Sequence, residues 1–128
     1  MPAKHLFEYA VLRVVPRVER EEFINVGVIL YCSAQGFLQA TCQFDEDRLL
    51  AFAGPTLDLA DVRARLRSFK RICGGRAEGG PIGQLAIASR FRWLTAQRST
   101  IIQTSPVHPG LCEDAAATLA HLHAQLVG

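Results

Sequence analysis

The stretch FEYAVLRVVPRVEREEFINVGVILY, residues 7–31, decides the fold. Aromatic and β-branched residues fill both of its ends, and a charged run, RVEREE, lies between them. Such residues favour strands, and Pro16 ends the first strand because proline has no N–H to donate to a neighbour. The stretch therefore predicts two strands, residues 7–15 and 23–32, joined by a charged connection. Both faces of the second strand are mostly apolar, which indicates a central strand covered on both sides.

Two polar residues interrupt this apolar pattern, Arg13 in the first strand and Asn25 in the second. A buried guanidinium or amide costs free energy unless it is paired or hydrogen-bonded. One interpretation is that Arg13 pairs with a carboxylate of the connection, such as Glu19, Glu21 or Glu22, while Asn25 hydrogen-bonds to the loop backbone. The alternative is a ligand-facing polar group at the mouth of the sheet. Gly27 is expected at a β-bulge or at a close approach of another backbone.

The patterns of the remaining chain predict four helices and two further strands. Residues 82–95 alternate as a strand does, but their alanines and length favour a helix. The predicted elements are a third strand over 37–44, a short helix capped by Asp45, helices over 57–73, 82–95 and 113–127, a loop over 74–83, a fourth strand over 98–105 and a turn over 107–110.

These elements predict a single α+β domain over residues 1–128, with a four-stranded, mainly antiparallel sheet and helices packed largely on one face. The first three strands form a meander, and the more polar third strand lies nearer an edge. The fourth strand, far along the chain, is expected to join by long-range pairing. With 49% hydrophobic residues, a chain of this length can bury a sizeable core.

Two segments resemble the bacterial domain of unknown function 3037 family. The first is the Arg-Val-Val-Pro strand end with the charged loop and Glu22-Phe23-Ile24-Asn25-Val26-Gly27-Val28. The second is Arg98-Ser99-Thr100-Ile101-Ile102-Gln103 with Ser105-Pro106-Val107-His108-Pro109-Gly110. The resemblance spans nearly the whole chain and implies one domain without supplying a mechanism. Members of that family are sometimes encoded beside HipA-like kinase genes, so the resemblance implies a HipA-like kinase as a protein partner.

The composition favours a cytoplasmic protein without a metal or cofactor. Met1-Pro2-Ala3-Lys4-His5 leads directly into the first strand, so no secretory signal is expected, and no apolar run reaches membrane-spanning length. The four cysteines lie far apart without a CxxC pair, which argues against zinc and favours reduced, buried thiols. A net charge of +2 does not by itself indicate nucleic acid.

Four basic residues of the second helix lie together beside its apolar stripe, Arg63, Arg67, Lys70 and Arg71, and the first three form a row. Such a row is a candidate anion-binding surface that tracks a phosphate backbone. The alternative is an ordinary solvated face, favoured here because no aromatic residues alternate with the charges.

A second set of candidates surrounds the late strand. His108 lies near Ser105 and Arg98, and a histidine in reach of a serine is the arrangement of a general base with its nucleophile. No acid is evident to orient the imidazole, so the favoured interpretation is a histidine that satisfies loop backbone groups. A polar cleft of Arg13, Glu22 and Asn25, joined by Arg98, is the other hypothesis.

Three functions remain open at this point, and whether the protein is an enzyme is not decided. The favoured one is an intracellular protein-binding or regulatory module, which contacts its partner through the hairpin edge or an exposed helix face. The second is a small enzyme that acts on a phosphorylated or nucleotide substrate through Arg13, Arg98 and His108. The third is a nucleic-acid binder that uses the basic helix.

Overall fold

The computed structural model of the chain describes residues 3–75, 79–98 and 100–127. The strands are β1 (His5–Val14), β2 (Ile24–Cys32), β3 (Phe37–Cys42), β4 (Ile102–Thr104) and β5 (His108–Cys112). The helices are α1 (Glu46–Ala53), α2 (Leu59–Gly74), α3 (Gly80–Gly83), α4 (Ile87–Thr95) and α5 (Ala115–Leu126), and a 3-10 turn spans Val18–Arg20.

All strand pairs of the sheet are antiparallel, and β1 lies in its middle. The order is β3-β2-β1-β4, and β5 also pairs with β1. Because β2 occupies one edge of β1, the two short strands share the other edge: β5 pairs with residues 5–9 and β4 with residues 12–14. The predicted meander, the third strand at an edge and the long-range pairing of the late strand are all confirmed.

Residues of the two sheet faces belong to two separate cores. Ala10, Leu12 and Ile29 face α1, α2 and α4, and Ile82 of α3 packs against the rim of this core. Phe7 and Leu30 face α5 on the opposite side. Four helices therefore lie on one face, in agreement with the prediction, while α5 covers the other. Each helix of the described residues is too short or too polar to cross a lipid bilayer.

Two local predictions need correction. The sheet has five strands rather than four, because residues 108–110 of the predicted turn over 107–110 belong to β5. Pro109 is tolerated there since β5 is an edge strand, and a Cβ at Gly110 would lie 2.5 Å from Cζ of Phe7, whose ring covers that backbone. The helix predicted over 82–95 begins only at Ile87. Within the predicted loop over 74–83, residues 76–78 lie outside the described residues.

Gly27 is required by a close backbone approach. The β1–β2 register shifts by one residue between Leu12 and Arg13, so that the two strands form a bulge next to Gly27. A Cβ at Gly27 would lie 2.0 Å from the carbonyl oxygen of Thr41 in β3. Both expectations for this glycine, the bulge and the close approach, are confirmed.

Replacement of Gly27 by alanine should therefore destabilise the protein severely. The new Cβ collides with the backbone of β3, which cannot move without breaking its ladder to β2, so we expect Gly27→Ala to lower the free energy of unfolding by at least about 2 kcal/mol. Urea denaturation monitored by circular dichroism measures the loss. Gly74→Ala is the control, because a Cβ at Gly74 meets nothing within 4 Å. Equal stability of the two variants would contradict this explanation.

Candidate functional site

Arg13 and Asn25 lie opposite each other in the β1–β2 register, on the sheet face that carries α5. Asn25 Nδ2 donates to the carbonyl oxygen of Leu126 at the end of α5, at 3.1 Å. The guanidinium of Arg13 lies over the ring of Phe23, with Cζ 3.9 Å from the ring centroid, and burial lowers its pKa. The sequence hypothesis correctly brought Arg13 and Asn25 together, although Asn25 caps a helix end rather than a loop.

Glu22 does not join this pair. Its carboxylate binds Arg20, with Nε and Oε1 2.7 Å apart, and both side chains are more than half exposed. The expected ion pair of Arg13 with Glu19, Glu21 or Glu22 is therefore wrong, since no carboxylate of the described residues lies within 4.0 Å of the Arg13 guanidinium. Glu22 instead borders a small cavity between the connection and Phe52 of α1.

Two buried atoms of the Arg13–Asn25 pair, Arg13 Nε and Asn25 Oδ1, have no hydrogen-bond partner among the described residues. One is a donor and the other an acceptor, and each unsatisfied buried group costs about 1–3 kcal/mol. Gln103 of β4 is the register partner of Arg13 on its other side. By register, the three residues lie side by side on one face of the sheet and form a polar patch, which Asn25 connects to the end of α5.

Arg98 lies on the opposite face of the sheet. Its guanidinium donates to the carbonyl oxygens of Leu94, at 3.2 Å, and of Trp93, and it stacks over the Trp93 ring. A cation at the C-terminus of a helix is favourable, since the last carbonyls carry partial negative charge. Burial lowers the pKa of Arg98. The structure therefore does not bring Arg98 to the Arg13 patch, and Arg98 caps α4.

Ser105 forms hydrogen bonds to β1 in the gap between β4 and β5, where neither short strand pairs with it. It is 3% exposed, its hydroxyl accepts from the N–H of Val11 at 2.8 Å, and its own N–H donates to the carbonyl of Val11 at 2.9 Å. The hydroxyl donates in turn to the carbonyl of Pro106, at 2.9 Å. These contacts occupy both the proton and an acceptor position of the hydroxyl, so the geometry assigns Ser105 a structural role.

His108 is exposed at the start of β5 and packs on Tyr9, its register partner in β1, with ring centroids 5.4 Å apart. The Ser105 proton is already donated to Pro106. The geometry therefore gives no support to a serine nucleophile activated by His108. Arg13, His108 and Tyr9 share the α5 side of β1, whereas Arg98 does not.

The basic row of α2 is present as expected, with Arg63, Arg67 and Lys70 exposed on one side of the helix. Arg63 is compensated, because its Nη2 lies 3.0 Å from Glu46 and its guanidinium lies over the ring of Phe44. Arg67 and Lys70 have no carboxylate within 4.0 Å among the described residues. Arg71, also exposed on α2, likewise has no carboxylate partner among the described residues. Within the basic row itself, Arg67 and Lys70 are the uncompensated cations.

This basic row runs beside the free edge of β3. One cavity of about 370 Å³ is bordered by Phe44, Arg63 and Arg67, and the next, of about 460 Å³, is bordered by residues 36–40 and Lys70. In the part of the chain that the structure describes, β3 pairs only with β2. We name this surface the β3–α2 groove. Its residues are Gly36–Ala40, Phe44, Arg63, Arg67, Lys70 and Arg90.

Arg90 of α4 closes the far end of the groove. Its Nη1 donates to the carbonyl oxygens of Ile72 and Cys73, at 3.0 and 2.8 Å, and its Nε donates to that of Leu85. These contacts cap the C-terminus of α2 and offset its partial negative charge. Arg90 thus binds the carbonyl oxygens at the end of α2, so the ammonium of the neighbouring Lys70 is not needed to cap them. This capping role of Arg90 cannot be predicted from the sequence, since it depends on two helices meeting.

The backbone of β3 presents alternate residues to the groove. The N–H of Gln43 donates to the carbonyl of Val26 in the β2 segment, at 2.6 Å. Because the backbone groups of an antiparallel strand point alternately to either side, the N–H and C=O groups of Gln39 and Thr41 are turned toward β2, and those of Leu38, Ala40 and Cys42 point away from it. Among the described residues, no strand pairs with these outer backbone groups.

The family model of the protein of unknown function DUF3037 matches residues 9–127. This chain belongs to the DUF3037 family. No curated protein and no solved structure matches it. The matched span contains every candidate residue named above, and the description of the DUF3037 family assigns them no role, so their chemistry rests on the geometry.

The cysteines of this DUF3037 protein are buried or partly buried thiols. Within the described ranges, the His, Cys, Asp and Glu side chains form no group of three that could hold a metal ion. All four cysteines are free. Burial raises the pKa of Cys42 from 9.0 to about 11 and that of Cys73 to about 12, and the nearby Lys70 only partly opposes this. Both thiols therefore stay protonated at neutral pH.

The structural role of Ser105 predicts the effect of removing its hydroxyl. Ser105→Ala leaves the N–H of Val11 without its acceptor in a buried position, so we expect a loss of about 1–3 kcal/mol in the free energy of unfolding. Thermal and urea denaturation measure it. Ser68→Ala, on the exposed side of α2, should change stability by less than about 0.5 kcal/mol. An unchanged melting temperature for Ser105→Ala would remove the structural assignment.

The raised pKa values of Cys42 and Cys73 predict slow alkylation. The thiolate is the nucleophile, so iodoacetamide at pH 8 should leave both thiols unmodified in the folded protein and modify them in urea, as read by peptide mass spectrometry. The stability contributed by the protonated thiols is complete below the unfolded pKa and is lost as pH rises through the folded values of about 11 and 12. Rapid labelling of folded Cys73 would contradict the assignment.

Proposed function

We propose that this protein is a protein-binding module that takes an extended segment of its partner as an additional strand on β3. The observation that carries the proposal is the free edge of β3, with a groove along it. Addition of a strand to a sheet edge is a recurrent mode of peptide recognition, in which main-chain hydrogen bonds provide affinity and flanking pockets provide selectivity.

The two free edges of the sheet differ in how well they are protected. The edge formed by β4 and β5 is short and interrupted, and it contains Pro106 and Pro109. Prolines and interruptions prevent further pairing because they remove or misplace backbone donors. The sequence of β3, FLQATC, has no proline and no charged residue. The opening hairpin, suggested by sequence as a contact edge, has both strands paired on their outer sides. This leaves β3 as the favoured edge.

The proposal places the module in the bacterial cytoplasm, where free thiols remain reduced. The four free cysteines are consistent with that compartment. A HipA-like kinase, implied by the family resemblance, is the partner we propose to test first. Such a kinase would have to offer an exposed, extended segment, and a regulatory role would follow if that segment moves in its catalytic cycle.

The two alternative functions find less support. The enzyme hypothesis relied on Arg13, Arg98 and His108, but Arg98 lies on the opposite face of the sheet, where it binds the carbonyl oxygens of Leu94 and Trp93. A serine nucleophile beside His108 also finds no support, because the Ser105 hydroxyl is engaged by Val11 and Pro106. In the basic row of α2, Glu46 binds Arg63, which leaves Arg67 and Lys70 as the cations of the row without a carboxylate within 4.0 Å among the described residues. Nucleic-acid binding would decrease steeply with salt, whereas pairing of main chains would not.

The Ala40→Pro variant tests the proposal. Proline removes one outward N–H of β3 and places its ring in the path of an added strand, while the pairs with β2 are retained. The tagged variant should lose the stoichiometric companion that the unmodified protein retains from native lysate, as read by quantitative mass spectrometry. Ala40→Ser keeps the N–H and is the matched control.

Circular dichroism and thermal denaturation should show that Ala40→Pro is folded before its binding is compared with that of Ala40→Ser. A companion held equally by both variants would disprove strand addition at β3. The identity of the companion decides whether a HipA-like kinase is the partner.

A further inference from the structure

We infer that the partner segment is acidic: the β3–α2 groove selects an extended peptide whose Asp or Glu side chains face Lys70 and Arg67 of α2. This inference rests on the strand addition proposed above, and it names the chemistry of the added strand.

The charges bordering the groove are almost all positive. Its cations are Arg63, Arg67, Lys70 and Arg90, and its one carboxylate is that of Glu46. Glu46 is bound to Arg63, and Arg90 is engaged by the carbonyls at the end of α2. Lys70 and Arg67 are exposed and have no carboxylate within 4.0 Å among the described residues. A carboxylate from outside the chain would complement both.

The spacing of the row suits alternate residues of a strand. On a helix, Arg67 and Lys70 are separated by about 4.5 Å along the axis, and Arg63 and Arg67 by about 6 Å. Alternate residues of a strand are about 6.6–6.8 Å apart and point to the same face. Acidic side chains at every second position of an added strand would therefore meet successive cations, while the intervening side chains point toward the α5 face.

The edge itself favours a polypeptide over a nucleic acid. Outward N–H and C=O groups of Leu38, Ala40 and Cys42 match the donors and acceptors of a peptide main chain, and a phosphate backbone has no donors to offer them. Nucleic-acid grooves usually add exposed aromatic rings for base stacking. The ring of Phe44, beside the row, is covered by the guanidinium of Arg63.

Selection from a random dodecapeptide library displayed on phage tests the inference with the folded, full-length protein. Peptides selected by the unmodified protein should be enriched in Asp and Glu at alternate positions. Lys70→Glu should abolish that enrichment and weaken the binding of a selected peptide by roughly five- to tenfold at low salt, since one attraction becomes a repulsion. Lys4→Glu has the same charge change on a residue outside the groove, and it should leave the selection unchanged.

The other outcomes separate the inference from the proposed function. One outcome is that selected peptides bind the unmodified protein and Ala40→Ser, but not Ala40→Pro, and show no acidic enrichment. In that case strand addition stands and the acidic preference is wrong. If Ala40→Pro selects the same acidic peptides, the row binds anions without an added strand, and both statements fail. Enrichment of no peptide above background, or preferential binding of a single-stranded oligonucleotide, overturns both as well.

Discussion

Helices cover both faces of the sheet at β1, so the backbone N–H and C=O groups of this strand are shielded from water and must find partners within the protein. The strand β2 satisfies one edge along nearly its whole length. The other edge is satisfied by two short strands, and in the gap between them the hydroxyl of Ser105 takes the place of a carbonyl by accepting from Val11. The position of residues 102–112 is therefore determined by the backbone groups of β1 that require hydrogen-bond partners.

The way in which β1 is paired also determines which edge of the sheet could accept a further strand. The strands that complete β1 are short and contain prolines nearby, so their outer side is a poor template for further pairing. On the opposite side the meander simply ends at β3, whose faces are packed by α2 and α5 while its outer edge is not paired with any strand of the described residues. Both features come from one asymmetry, a continuous hairpin on one side and an interrupted pair on the other.

The sequence predicted those parts of the fold that depend on local patterns. Alternation identified β1, β2 and β3, and Asp45 began α1 as expected, with its carboxylate accepting from the N–H of Arg48. The strand β5 was missed because Pro109 and Gly110 carry a turn signal that only the pairing with Phe7 overrides. Arg13 and Asn25 were correctly paired since they lie in one hairpin. Whether Arg98 reaches them depends on which face of the sheet Arg98 lies on, and the spacing of residues in the sequence does not indicate this face.

The basic row of α2 is best interpreted together with the neighbouring edge of β3. On sequence alone, Arg63, Arg67 and Lys70 resemble an ordinary solvated face. Beside β3 they have a second consequence, since pairing of two copies of this chain through their β3 edges would bring two rows of cations together. Like charges in proximity oppose such an assembly, whereas an acidic strand relieves them. If β3 accepts an added strand as proposed, the cations of the adjacent helix would discriminate between partners, because the sequence of β3 contains no proline and no charged residue.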